Sequence, residues 1–172
     1  MRIFVGCSSK EEIDEKYKVV ATRMSHLLCS YDIVIGGTFM GLMKLVSRSI
    51  SKEQITQVCL KDYLKNEEDL TNFIVCDTSF ERLQKIWELS DCFLLLPGGT
   101  GTLSEYFSFF EENRTKSKKK KIYLLNYDGF YDEILFFLQS LEKEKFCDES
   151  FMEDVFVVKT PEEFIELLKK EV

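Results

Sequence analysis

Two charged side chains and two glycine runs are the parts of this chain that could do chemistry. The run Pro97-Gly98-Gly99-Thr100-Gly101-Thr102 is followed by Glu105, and Arg82 ends the stretch 77–82 (DTSFER). Glycines let the backbone turn sharply and let N–H groups approach an anion with no Cβ in the way. A helix starting near Thr102 would add free N–H groups and the positive end of its dipole, which makes a phosphate site. Thr100 and Thr102 can donate hydroxyls to it. A carboxylate beside a phosphate would repel it, so Glu105 is read as acting on another part of the substrate. The blander reading of Glu105 is a favourable contact with the helix dipole. For Arg82 it is a surface residue paired with Glu81 or Asp77.

The named phosphate motifs do not fit. The third glycine of GxGxxG would fall at Ser104, and Gly36 and Gly41 have Walker A spacing with Leu42 where lysine is required. The chain is therefore neither a P-loop NTPase nor an ordinary dinucleotide binder.

Apolar runs and helical periodicity alternate from end to end and must position these residues. The pattern predicts strands at 2–6, 32–35, 54–60, 73–76, 91–96, 121–126 and 155–158. It predicts helices over 11–30, 39–49, 79–89, 102–113, 130–141 and 161–170, with a polar loop over 61–71. Such alternation means an α/β sandwich with a mostly parallel central sheet. At 172 residues, without linker or repeat, it reads as one domain spanning 1–172. Ligands of such sheets bind outside the C-terminal ends of the strands. Those ends carry Gly6, Cys7, Ser8 and Ser9; Gly36, Gly37 and Thr38; Asp77 to Arg82; and the glycine loop with Glu105. Four loops rich in small and hydroxyl residues share one edge.

The stretch 93–105 (FLLLPGGTGTLSE) carries the PGGxGTxxE signature and resembles the LOG (Lonely Guy) family of cytokinin-activating nucleoside-monophosphate phosphoribohydrolases, often labelled possible lysine decarboxylases. The resemblance covers nearly the whole chain. GCSS resembles the family's first serine loop, Gly36-Gly37 with Gly41-Leu42-Met43 its GGxxxGLM, and DTSFER the segment carrying its arginine. YLLNYDGFY at 123–131 resembles a late strand and loop.

The resemblance implies a Rossmann-like three-layer fold, a homodimer, and hydrolysis of the N-glycosidic bond of an adenine-type nucleoside 5′-monophosphate. Arg82 and Glu105 match its catalytic pair. Gly98, Gly99, Thr100, Gly101 and Thr102 match its phosphate loop, and Ser8, Ser9, Gly36 and Gly37 match loops lining the site. Three positions depart from the pattern: Leu83 replaces a lysine, Lys44 a glycine, and the stretch 109–113 (FFEEN) a segment that shapes the base pocket and dimer contact. Lysine decarboxylation would need a pyridoxal-phosphate Schiff-base lysine. Lys44 and Lys85 are the lysines this reading places on the site edge, and neither has a cofactor context. The alternative is a nucleotide-binding or carrier protein without hydrolysis.

Composition narrows the partners. The net charge of −7 makes the chain a poor non-specific binder of nucleic acid. The basic block Arg114, Lys116 and 118–121 reads as a solvated loop. Six cysteines without CxxC spacing and a sole histidine give no metal pattern, and no cofactor is expected. No apolar run approaches the ~18 residues of a membrane span, so a cytoplasmic protein with a small-molecule substrate is expected. Phe107, Phe109, Phe110, Phe136 and Phe137 exceed the needs of one helix face, which points to core packing and in part to a dimer contact.

Overall fold

Seven strands form one sheet in the order β4-β3-β2-β1-β5-β6-β7. The strands are β1 (Arg2–Gly6), β2 (Asp32–Gly36), β3 (Ile55–Leu60), β4 (Asn72–Cys76), β5 (Cys92–Leu95), β6 (Ile122–Leu125) and β7 (Val155–Val158). The helices are α1 (Glu15–Leu28), α2 (Gly41–Val46), α3 (Ser79–Leu89), α4 (Thr100–Thr115), α5 (Asp132–Lys143) and α6 (Pro161–Lys169). This computed structural model describes residues 1–37, 39–63, 72–148 and 150–170. Thr38 and most of the 61–71 loop lie outside the described residues.

Every strand pairing among the described residues is parallel. The expectation of a mostly parallel sheet is met, and the fold is Rossmann-like. Parallel strands covered on both faces must be apolar throughout. β5 meets that demand, with Cys92 to Leu95 all buried. One apolar core, around Val20, Met24, Leu42 and Phe164, joins one face of the sheet to α1, α2 and α6. The other, around Phe4, Trp87, Phe93 and Phe109, joins the opposite face to α3, α4 and α5. Phe93 stacks on Phe109 at 4.2 Å between centroids, and Trp87 stacks on Phe93 at 5.1 Å.

Four helix starts differ from expectation, at α1, α2, α4 and α5, the last beginning at Asp132 and not residue 130. α1 begins at Glu15, not residue 11, because the Asp14 carboxylate accepts from Lys16 N at 3.0 Å and caps it. α2 is shorter than the span 39–49. Met40 is extended and Gly41 has φ +57°, so the helix cannot extend upstream. α4 begins at Thr100, two residues early, so Thr100 and Gly101 belong to its first turn.

The basic block is exposed at Arg114, Lys116, Lys118 and Lys119, as expected of a solvated segment, and half-buried at Lys120 and Lys121. Arg114 pairs with Glu111 at 2.5 Å, Lys119 stands 3.6 Å from Asp154, and Lys120 is half-buried over the Trp87 ring. The phenylalanines divide: Phe109 is buried, whereas Phe136 and Phe137 are 69% and 58% exposed. Among the described residues no helix is long and apolar enough to cross a membrane.

Candidate functional site

The chain runs outward from β1 to β4 and then restarts at β5 on the other side of β1. The order therefore reverses between β1 and β5, where open α/β sheets leave a crevice at the strands' C-terminal ends. A cavity of about 470 Å³ lies there. That volume falls within the usual ~300–1,000 Å³ of small-molecule sites.

At its floor, Arg82 Nη2 donates to Glu105 Oε1 at 2.5 Å. Their side chains are 14% and 9% exposed. Arg82 Nε also donates to the Val58 carbonyl at the end of β3, at 3.2 Å. Two glycines make room for the pair. A Cβ on Gly36 would stand 2.0 Å from Arg82 Nη2, and one on Gly6 would stand 2.8 Å from Glu105 Oε2. The ends of β1 and β2 must therefore be bare backbone, because a charged pair occupies the space of their side chains.

Burial raises the Glu105 carboxyl above its ordinary value, and the charge and hydrogen bond of Arg82 oppose that rise. Removing one partner of such a pair strands a buried charge, at a cost of ~3–5 kcal/mol. Cys7 lies beside Glu105. Burial, reinforced by the Glu105 charge, drives its thiol well above the usual range, so it stays protonated and is no nucleophile.

The glycine loop supplies the other end. Gly99 precedes α4, and no side chain caps the helix. The N–H groups of the first turn therefore lack an intrahelical partner. Gly99, Thr100, Gly101 and Thr102 line the cavity beside them. Tyr131 steadies this loop from behind, its hydroxyl donating to the Leu96 carbonyl at 2.6 Å while Asn126 accepts from Tyr131 N at 2.7 Å. The first-strand loop is tied in as well: Ser8 N donates to the Pro97 carbonyl at 3.3 Å, and Leu42 N to the Ser8 carbonyl at 2.9 Å.

Of the residues singled out from sequence, Arg82, Glu105, Ser8, Ser9, Gly36, Gly37, Gly99, Thr100, Gly101 and Thr102 line one cavity. Gly98 does not. A Cβ there would stand 2.1 Å from Thr102 Oγ1, so its glycine is needed for packing inside the loop. Pairing of Arg82 with Glu81 or Asp77 is overturned. Thr78 Oγ1 accepts from Glu81 N at 3.1 Å, which caps α3, and Glu81 Oε2 accepts from Asp77 N at 2.9 Å, just upstream of the cap. Among the departures, Leu83 lines the cavity; Lys44 is exposed outside it, and Phe110 packs on Tyr106 and Phe151 instead. Lys85 pairs with Glu88 at 2.9 Å, away from the wall.

Lys10, Leu60 and Tyr63 were not singled out and do line it. Leu60 ends β3 and Tyr63 lies in the 3-10 turn behind it, so the end of that strand carried the signal. Among the described residues, no three His, Cys, Asp or Glu side chains are arranged to hold a metal.

The family described as "Possible lysine decarboxylase" matches residues 32–168. A cytokinin riboside 5′-monophosphate phosphoribohydrolase of Oryza sativa subsp. japonica is 30% identical over 95% of this chain and 71% of its own length. One from Arabidopsis thaliana is 28% identical over 98% of this chain and 83% of its own length. Among solved structures, the molybdenum cofactor carrier protein of Chlamydomonas reinhardtii superposes with a TM-score of 0.71 at 19% identity, covering 98% of this chain and 96% of that one. The molybdenum cofactor binding protein of Rippkaea orientalis gives 0.67 at 21% identity, covering 99% and 96%. Those two likenesses speak to the fold alone. With the family match spanning residues 32–168 and relatives aligned along nearly its whole length, the chain belongs to the LOG family, the one described as "Possible lysine decarboxylase".

Proposed function

We propose that this protein hydrolyses the N-glycosidic bond of an adenine-type nucleoside 5′-monophosphate, releasing free base and ribose 5-phosphate. The observation that carries the reading is the buried Arg82–Glu105 pair between two unlike ends of one cavity. The α4 N-terminus and glycine loop suit a phosphate. Leu60, Tyr63 and Leu83, at the β3 and α3 end, suit a flat apolar base. Strands lie ~4.8 Å apart, so the span from β5 to β3 is roughly 14 Å, with the pair over β1 and β2 in between. A nucleotide lying along it presents its glycosidic bond to the pair.

Cleavage of that bond passes through an oxocarbenium-like state. Glu105 is proposed to stabilise the developing charge and to take a proton from the attacking water. Its raised pKa makes it a better base than an ordinary carboxylate. Arg82 stays protonated, so it orients Glu105 and faces the departing base rather than acting as an acid. Asp77 and Glu81 stand outside the wall, and neither is proposed as that acid.

Lysine decarboxylation needs a Schiff-base lysine and a partner for the cofactor's ring nitrogen. Lys10 is an exposed side chain, and Arg82 is engaged by Glu105 and the Val58 carbonyl. That donor set does not fit pyridoxal phosphate.

A turnover assay tests the proposal. Purified protein is offered AMP, isopentenyl-AMP, dAMP, GMP and CMP, and free base is followed by chromatography. Wild type should release base, and Glu105→Gln should bind nucleotide yet lose nearly all turnover. Full activity in Glu105→Gln would sink the assignment. Binding without release by wild type would establish the carrier reading instead. The proposal includes a single domain and a homodimer in contact through exposed phenylalanines such as Phe136 and Phe137; sedimentation as a pure monomer would remove the dimer.

A further inference from the structure

We propose that Lys10 is the side chain that recognises the 5′-phosphate, and that its charge sets the preference for phosphorylated over unphosphorylated substrate. The inference rests on the hydrolase reading for the substrate's identity, but its geometry stands apart from it.

Three charged side chains line the cavity among the described residues: Lys10, Arg82 and Glu105. Arg82 and Glu105 neutralise each other at 2.5 Å. The charge left over is that of Lys10, which makes no ion pair among the described residues. A cavity built for a dianion in a chain of net charge −7 needs a local cation, and Lys10 supplies it.

The base of the side chain is held at the correct end. Lys10 N donates to Ser8 Oγ at 3.1 Å. Ser8 is tied by its own N–H to Pro97 at the start of the glycine loop. On the other side Gly41, at φ +57°, lies so close that a Cβ on it would stand 2.6 Å from the Lys10 carbonyl. The backbone is therefore pinned between the glycine loop and the start of α2, while the side chain is exposed and free to close on a ligand. A lysine meets phosphate as a mobile point charge, and charge-assisted hydrogen bonds of this kind are about twice as strong as neutral ones. The helix N-terminus and the lysine then approach the phosphate from opposite faces of the sheet edge, because α2 packs on one face and α4 on the other.

Calorimetric titration of ribose 5-phosphate tests this without requiring turnover. Lys10→Gln should weaken its binding about tenfold or more, Lys10→Glu further, and Lys10→Arg by only about twofold. The anchoring contacts are made by the Lys10 backbone, so melting temperatures should match wild type. In turnover, KM for AMP should carry most of the Lys10→Gln effect and kcat the smaller part. Equal affinity of wild type and Lys10→Gln for ribose 5-phosphate would overturn the proposal. So would a wild type that does not bind it, or an equal loss of adenosine binding, which would mark a steric effect. If no nucleotide is hydrolysed but Lys10→Gln still loses ribose 5-phosphate, the hydrolase reading fails and the role of Lys10 stands.

Discussion

Glu105 is a carboxylate kept in an unfavourable place by one guanidinium. Burial raises its pKa from the ordinary 4.5, and Arg82 holds the rise in check. The folded chain therefore holds more protons than the unfolded one from about pH 4.5 up to the raised value. Stability contributed by this group is fully present below pH 4.5 and is lost as pH rises through the folded value. Activity has the opposite sign, because the proposed chemistry needs the ionised form. The acid limb of kcat/KM should lie above 4.5, and Arg82→Met, which removes the opposing charge, should move the Glu105 titration higher still. Carbon-detected NMR of the glutamate carboxyls, with Glu105 assigned from Glu105→Gln, reads that midpoint directly. A midpoint in Arg82→Met at or below the wild-type one would show that Arg82 is not what holds the carboxyl down. The family resemblance put these two residues together as a catalytic pair, but their spacing did not, and the cause of the pairing was not visible in the sequence. The two residues are 23 positions apart on different helices, and sequence spacing matched Arg82 equally well to Asp77 or Glu81. What makes room for it is the pair of glycines at 6 and 36, whose missing side chains leave the space that the charged pair fills.

Helices α3 and α6 offer a matched comparison of how elements carry the site. Each begins with a threonine cap: Thr78 accepts from Glu81 N at 3.1 Å, and Thr160 from Glu163 N at 3.2 Å. Loss of such a cap costs ~1 kcal/mol, or roughly 2–4 °C for a chain of this size. Arg82 sits one turn into α3, whereas α6 packs on the far side of the sheet. Thr78→Ala and Thr160→Ala should therefore melt within a degree or two of each other, yet only Thr78→Ala should depress kcat. Equal activities would mean that Arg82 is placed by its bonds to Glu105 and Val58 and not by its helix. The element pattern itself was largely legible. Buried parallel strands must be apolar runs, so β1, β5 and β6 stand out, and Thr160-Pro161 announces the start of α6. Helix starts were less so, because they turn on single capping contacts such as Asp14 to Lys16 N and on the φ of Gly41. Lys10, Leu60 and Tyr63 escaped for a related reason: Leu60 is the last residue of its strand and the other two lie past strand ends, where no glycine marks a site.

At the scale of the whole molecule, the cavity is the seam between two halves of the sheet. All strands are parallel, but β2 to β4 are added to one side of β1 and β5 to β7 to the other, and the cavity wall draws on both halves: Ser8, Gly36, Leu60 and Arg82 from the first, Gly99, Thr100 and Glu105 from the second. Direct hydrogen bonds already cross the seam at Ser8–Pro97 and Leu96–Gly6. A ligand in the cavity adds further links between the halves, so it should stabilise both at once and not merely order one loop. At a hundredfold excess over Kd, binding adds ~2.7 kcal/mol to the folded state. With ~2–4 °C per kcal/mol, the melting temperature should rise by roughly 5–10 °C. Glu105→Gln is the form to use, since the proposed function has it binding nucleotide without consuming it. Hydrogen exchange then locates the effect. Amides at the end of β2 and at the start of α4 should gain protection together, because they face the same ligand from opposite sides of the seam. Protection confined to the glycine loop would mean that phosphate binds there and the rest of the nucleotide points to solvent. The pair over β1 and β2 would then lie out of reach of the glycosidic bond, and the catalytic reading would fall while the phosphate site remained.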